Sequence, residues 1–294
     1  MTLLNRSSIM VSMNTLTIEK RVQILASLIE GNSIRSTVRM IGAAKNTVVK
    51  LLRDVGQVCE QYHDRVMINL PCKRIQVDEI WSFCYAKQKN VPPELQGQFG
   101  YGDVWTWVAL DADTKLVASW LVGKRDADWA QTFMLDLAAR LRHRVQLTSD
   151  AHKAYLSAVE DAFGGDIDYA TLVKLYGKEK AKQEQKYSPS PIIGCKQSIV
   201  IGNPDPNHIS TSFVERQNLT MRMNMRRFTR LTNAFSKKIE NLHWAVALHF
   251  LYYNFCRIHK TLKVTPAMEA GVSDRLWNLE DIVDLLENYG KKSN

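Results

Sequence analysis

Residues 74–86 read RIQVDEIWSFCYA, a run of β-branched and aromatic residues bounded by polar sequence, and this predicts a strand. Asp78 lies in its middle, flanked by residues that belong in a core, where a carboxylate is costly unless something compensates it. Residues 104–123, VWTWVALDADTKLVASWLVG, read as two further strands joined by a turn at residues 111–114. Trp129, Phe133, Leu135, Leu137 and Leu141 are spaced for the buried face of a helix over residues 128–144. VQLTS then forms a short apolar strand ending at Asp150, HKAYLSAVEDAFG a second helix closed by Gly164 and Gly165, and IDYATLVKLY a fifth strand. The order β-β-β-α-β-α-β predicts an α+β domain with a mixed sheet flanked by helices.

On the N-terminal side, residues 1–16 carry no regular pattern and read as a disordered arm. Thr17 and Ser33 are plausible N-caps, and Gly31 and Gly42 plausible stops, for the first two of three short helices. Three short helices with tight turns over residues 17–65 predict a helix-turn-helix module, with a linker at 66–73. Arg35, Arg39, Lys45, Lys50 and Arg53 face one acid, Asp54, so the segment is cationic. Lys45, Asn46, Thr47, Lys50 and Arg53 are its candidate DNA contacts.

On the C-terminal side, residues 177–198 include a Lys- and Gln-rich polar stretch that reads as an insertion, followed by a short strand in SIVIG. HISTSFVERQNLTMRMNMRRF follows, with Ser210, Thr211 and Ser212 as candidate caps of a helix reaching about Met225. Glu215 sits near its start, and seven basic residues without an acid run from Arg216 to Lys238. Arg222, Arg226 and Arg230 recur every four residues, a cationic stripe suited to a phosphate backbone. A long helix over residues 236–253 contains His243 and His249, and with His259 these read as satisfied core histidines. Residues 271–294 read as an amphipathic tail.

The 294 residues carry 39 basic against 30 acidic side chains, a net +9 that favours a polyanionic partner. Five widely spaced cysteines without a C-x-x-C pair argue against a disulfide framework or a sulfur-ligated zinc site. With no bilayer-length apolar run, a cytoplasmic protein is expected, with no membrane partner.

Asp78, Asp150 and Glu215 would meet if two neighbouring strands and a helix across them brought their carboxylates to one point. Such oxygen donors favour Mg²⁺ or Mn²⁺. Glu79 adjoins Asp78, but strand alternation points it the other way, and Asp111 with Asp113 fits turn chemistry. VDEIW, LTSDAHKAY, TSFVERQNLTMRMNMRR and YYNFCRIHKTLKVTPAM together resemble a DDE transposase of a bacterial insertion-sequence family. The resemblance implies a ribonuclease-H-like core with Asp78, Asp150 and Glu215 as a metal-binding triad. Arg222, seven positions after Glu215, would hold a DNA phosphate. It further implies binding of double-stranded transposon ends and target DNA, metal-dependent cleavage and strand transfer, a homodimer or higher synaptic assembly, and nucleoid association in a bacterium or archaeon. A nuclease of the same fold without strand transfer, or a DNA-binding regulator without catalysis, is the alternative. Asn254, Arg257 and His259 either support the core or touch DNA.

Overall fold

The computed structural model describes residues 16–177, 191–229 and 233–292. Nearly all of the arm, residues 178–190 of the insertion, and Arg230 lie outside the described residues. The chain is α+β, with a six-stranded mixed sheet and helices packed around it. Strands β1 (Arg74–Cys84), β2 (Gly102–Asp111) and β3 (Val117–Gly123) form an antiparallel meander. Strand β4 (Gln146–Ser149) adds parallel to β1, β5 (Asp168–Tyr176) parallel to β4, and β6 (Ile192–Ile201) antiparallel to β5, giving the order β3-β2-β1-β4-β5-β6. Residues 192–198, read from sequence as insertion, therefore belong to β6, which pairs along β5 and places Lys196 opposite Val173.

Helix α1 (Ile18–Ile29) starts at Thr17, whose side chain accepts from Lys20 N–H, and α2 (Ile34–Ile41) at Ser33, whose hydroxyl accepts from Ser36 N–H. Gly42 ends α2 in the left-handed conformation, with φ of 70°. The third helix is not short. Helix α3 (Lys45–Val66) runs for 22 residues because its buried stripe continues through Val55, Val58, Cys59 and His63. Gly56 is no stop within it: a Cβ there would come within 2.5 Å of the Trp244 Cβ on α7 (Ile239–Phe255), so the residue marks close helix contact.

Asp126 caps α4 (Ala127–Arg140), and α5 (Ala154–Phe163) follows β4. Helix α6 (Ser212–Asn224) ends at Met225, so Arg226 lies past its last turn and the expected Arg222–Arg226 stripe is broken there. Arg227 turns to Ser236, donating from Nε to its hydroxyl at 2.8 Å. The C-terminal segment folds into α8 (Pro266–Glu269) and α9 (Leu279–Lys292), and α9 packs on α1 and α3 with Ile282 and Val283 buried and Arg21 paired to Glu287 at 3.2 Å. What reads as a tail is thus part of the helical layer. One buried apolar cluster runs from Ile24 in α1 through Trp107 and Phe133 to Val283, joining helices and sheet. Among the described residues no helix is long and apolar enough to cross a membrane.

Asn254 shows how α7 is tied to the sheet edge. Fully buried, it accepts from Val117 N–H at 3.0 Å and donates to Val117 C=O at 2.9 Å, beside the irregularity at Ala109/Leu110 in the β2–β3 ladder. The side chain supplies the edge strand with partners that another strand would otherwise provide. Replacing Asn254 by Leu leaves both peptide groups unpaired, and at ~1–3 kcal/mol for each buried orphan it is expected to cost about 2–6 kcal/mol in urea unfolding. His243 bonds Glu60 at 2.8 Å, but buried His249 has no partner at Nε2, and burial followed by the charge of Arg257 pushes it down to about 3. His259 Nδ1 is also unpartnered, so the reading of all three as satisfied fails for two of them.

Candidate active site

The register of β1 with β4 pairs Gln76 with Thr148, and continuing it two residues puts Asp78 level with Asp150. Helix α6 crosses this point. Gln76 Oε1 accepts from the backbone N–H of Phe213 at 2.9 Å and of Val214 at 3.2 Å, anchoring the helix start, and one turn on Asn218 Nδ2 donates to Asp78 Oδ2 at 2.8 Å. Asp150 Oδ1 accepts from His152 N–H at 2.9 Å, which closes the turn after β4. Two strands and a helix therefore converge.

Asp78 and Asp150 do meet, but the third acid beside them is Glu79: one carboxylate oxygen from each of Asp78, Glu79 and Asp150 lies within 4.8 Å of the others. This corrects the expectation from strand alternation. Strand β4 stops at Ser149, so beside Asp78 and Glu79 the flank of β1 has lost its neighbour, and side chains from both faces can meet there. Glu79 is buried, with Oε1 lacking a hydrogen-bond partner. Its Oε2 lies 3.4 Å from Arg125, which also stands 3.6 Å from Asp150 and over the Trp105 ring at 4.9 Å. Glu215 stands apart from this group, accepting from the Thr211 hydroxyl at 2.7 Å and paired with Lys174 of β5. It remains close enough for its charge to act on Asp78. Arg125 and Lys174 were missed from sequence, since a lone basic residue on a loop or strand gives no sign of which distant acid it will meet.

Burial pushes Asp78 up to about 6, with repulsion from Asp150 and Glu215 adding and the Glu79 N–H and Asn218 opposing. Burial pushes Glu79 up to about 7, with Arg125 opposing and Asp150 and Asp78 adding. Between the ordinary carboxylate range and about 7, the folded chain therefore retains protons that the unfolded chain has released, and these groups make stability fall as pH rises through that window. A divalent cation among them should offset this. Added Mn²⁺ is expected to raise Tm more near pH 7.5 than near pH 5, and the Asp78→Asn/Glu79→Gln chain to lose that difference, measured by thermal melts at matched ionic strength. The donor set fits such an ion: it is oxygen-only, closely spaced, and holds an unpartnered buried oxygen on Glu79.

On the first helical layer Lys45, Asn46, Lys50 and Arg53 are exposed along one side of α3 and Thr47 is half-buried. Lys50 and Arg53 share Asp54. Asn46, Lys50 and Arg53 line a cavity of about 410 Å³ together with Lys238 and Trp244. Arg222 lies two turns after Glu215 on α6. Asp111 takes the turn role expected of it, accepting from the Thr114 N–H and hydroxyl.

No protein-family model and no curated protein matches the chain. Solved structures do. A Mos1 transposase paired-end complex with left transposon end is 14% identical over 53% of this chain and 59% of that one, with a TM-score of 0.24, so the match takes in little more than half of the Mos1 chain. A piggyBac transposase synaptic complex with hairpin DNA is 9% identical over 92% of this chain and 72% of that one, with a TM-score of 0.42. A Mos1 mariner paired-end complex with Mn is 14% identical over 52% and 58%, with a TM-score of 0.22. Distant in sequence and loose in superposition, these are likenesses, and the side chains around Asp78 carry the functional reading.

Proposed function

We propose that the chain is a DDE-type transposase, a metal-dependent polynucleotidyl transferase acting on double-stranded DNA. The observation that carries this is the meeting of Asp78, Glu79 and Asp150 oxygens within 4.8 Å at the flank of β1, under a helix that continues into basic residues. Asp78 and Asp150 would hold Mg²⁺ or Mn²⁺, and Glu215, paired here with Lys174, would complete a second position. Such ions activate a water or a 3′-hydroxyl and stabilise the leaving oxygen of a phosphodiester. The chain's own part is to gather these carboxylates at one point, to keep Asp78 oriented through Asn218, and to place a DNA phosphate through Arg222.

The first three helices act as the helix-turn-helix that reads transposon ends, with Lys45, Asn46, Thr47, Lys50 and Arg53 along the exposed side of α3. Arg226, outside α6, and Arg230 contribute as further phosphate contacts. Handling two ends together calls for a homodimer or a higher synaptic assembly, in a cytoplasmic protein associated with the nucleoid. A labelled duplex with a free 3′-hydroxyl at a candidate terminal inverted repeat tests the reading. Joined products in Mg²⁺ or Mn²⁺ support it. Cleavage without joining makes the chain a nuclease, and binding without either makes it a regulator.

A further inference from the structure

A cationic cleft lies along α6, on a face of the helix that carries none of the acids. Phe213, Arg216, Gln217 and Thr220, spaced i, i+3, i+4 and i+7 along the helix, form one wall. Lys115 from the β2–β3 turn and Tyr253, Arg257 and Lys260 from the end of α7 and the loop after it form the other, around about 260 Å³. Among the described residues no acidic side chain lines it. Arg216, Arg257 and Lys260 are exposed, and the described residues give none of them an acidic partner at ion-pair distance. Gln217 is 2% exposed, yet its Nε2 has no acceptor, which leaves a buried donor at the cleft wall unsatisfied. The walls are held in place: Tyr253 donates from its hydroxyl to Lys115 C=O at 3.0 Å, and Lys115 Nζ lies 3.7 Å from the Phe213 ring centre.

Four cations, an unsatisfied amide donor, two aromatic rings and no acid describe a receptor for a phosphate carrying an organic group beside it. The volume admits about one nucleotide unit. Gln217 and Asn218 are consecutive on α6, and Asn218 bonds Asp78, so the cleft and the acids lie on neighbouring faces of one helix. We propose that this cleft is a subsite for a backbone phosphate of the DNA strand, separate from the exposed side of α3 and from Arg222. The proposal rests on the reading that the chain acts on DNA.

The test is equilibrium binding of the full chain to a labelled duplex over a range of salt, without divalent cation. Each phosphate contact contributes about 0.9 to the slope of log Kobs against log salt. Arg257→Ala/Lys260→Ala is expected to lower that slope by about 0.9 and to weaken binding about tenfold near 0.15 M salt. Gln217→Glu, which sets a carboxylate opposite the phosphate, is expected to weaken it at least as much. A charge-matched control, Arg142→Ala/Arg275→Ala, removes an exposed arginine ahead of β4, at the end of that strand away from Asp150, and one already paired with Asp281. It is expected to do neither. An unchanged slope in Arg257→Ala/Lys260→Ala, or a loss no larger than in the control, overturns the subsite while leaving the transposase reading in place. Binding of deoxynucleoside monophosphate in the cleft with an unaltered DNA slope also overturns it, as a site for free nucleotides. Absence of any salt-dependent DNA binding by the wild-type chain overturns both.

Discussion

Asp78→Asn is expected to lower DNA cleavage and joining by about 10³-fold or more. Charge stabilisation by a bound metal ion contributes several kcal/mol to a phosphodiester displacement. At ~1.36 kcal/mol per factor of ten, losing about 4 kcal/mol gives a thousandfold. The amide keeps the shape of the side chain and retains an oxygen that can accept from Asn218 Nδ2, so the fold is expected to persist. Removing a carboxylate that burial makes costly should, if anything, raise stability in metal-free buffer. Single-turnover cleavage beside a DNA-binding isotherm and a thermal melt separates these effects. A loss of turnover with binding and Tm intact assigns Asp78 to the chemistry. Unchanged turnover removes it from the site.

Gly56→Ala is expected to destabilise the chain by about 1–2 kcal/mol, and Gly56→Val by about 3 kcal/mol, in chemical unfolding. The direction is the informative part, because Gly→Ala within an ordinary helix gains about 1 kcal/mol from helix propensity. Here an added Cβ meets Trp244 at 2.5 Å from Cβ, 2.7 Å from Cα and 2.8 Å from the carbonyl oxygen. Backbone cannot rotate away as a long side chain does, so α3 and α7 must separate and lose contact along their shared face. Because α3 carries the proposed end-reading side and α7 is tied to the sheet through Asn254, the loss should spread to the sheet as well. A stabilising Gly56→Ala would show that the helical layer and the sheet are not packed as one body.

Much of this architecture is legible in the sequence because it is local. The β-branched and aromatic runs around Asp78 and Trp107 fall in strands, and Thr17 and Ser33 cap the helices they precede. What could not be read depends on contacts between distant residues. The third helix looks short until Gly56 is seated against Trp244, and the C-terminal segment looks like a tail until α9 meets α1 and α3. Alternation turns Glu79 away from Asp78 only where β1 keeps both neighbours, and the end of β4 at Ser149 removes one of them. Glu215 stands out in the sequence by its position on a basic helix, whereas Lys174, which holds it, comes from a strand 41 residues earlier. The cationic stripe from Arg222 failed for a local reason: α6 ends at Met225, although MRMNMRRF contains neither Gly nor Pro to mark the break.

The most direct test of the central claim is Mn²⁺ binding, followed by the electron paramagnetic resonance signal of the free ion in titrations of the full chain without DNA. The wild-type chain is expected to bind, with affinity falling as pH drops below about 6 and the acids take up protons. Asp78→Asn and Asp150→Asn are each expected to weaken binding at least about tenfold, as loss of a charged ligand requires. Equal Mn²⁺ affinity in the wild type and both variants would contradict the account.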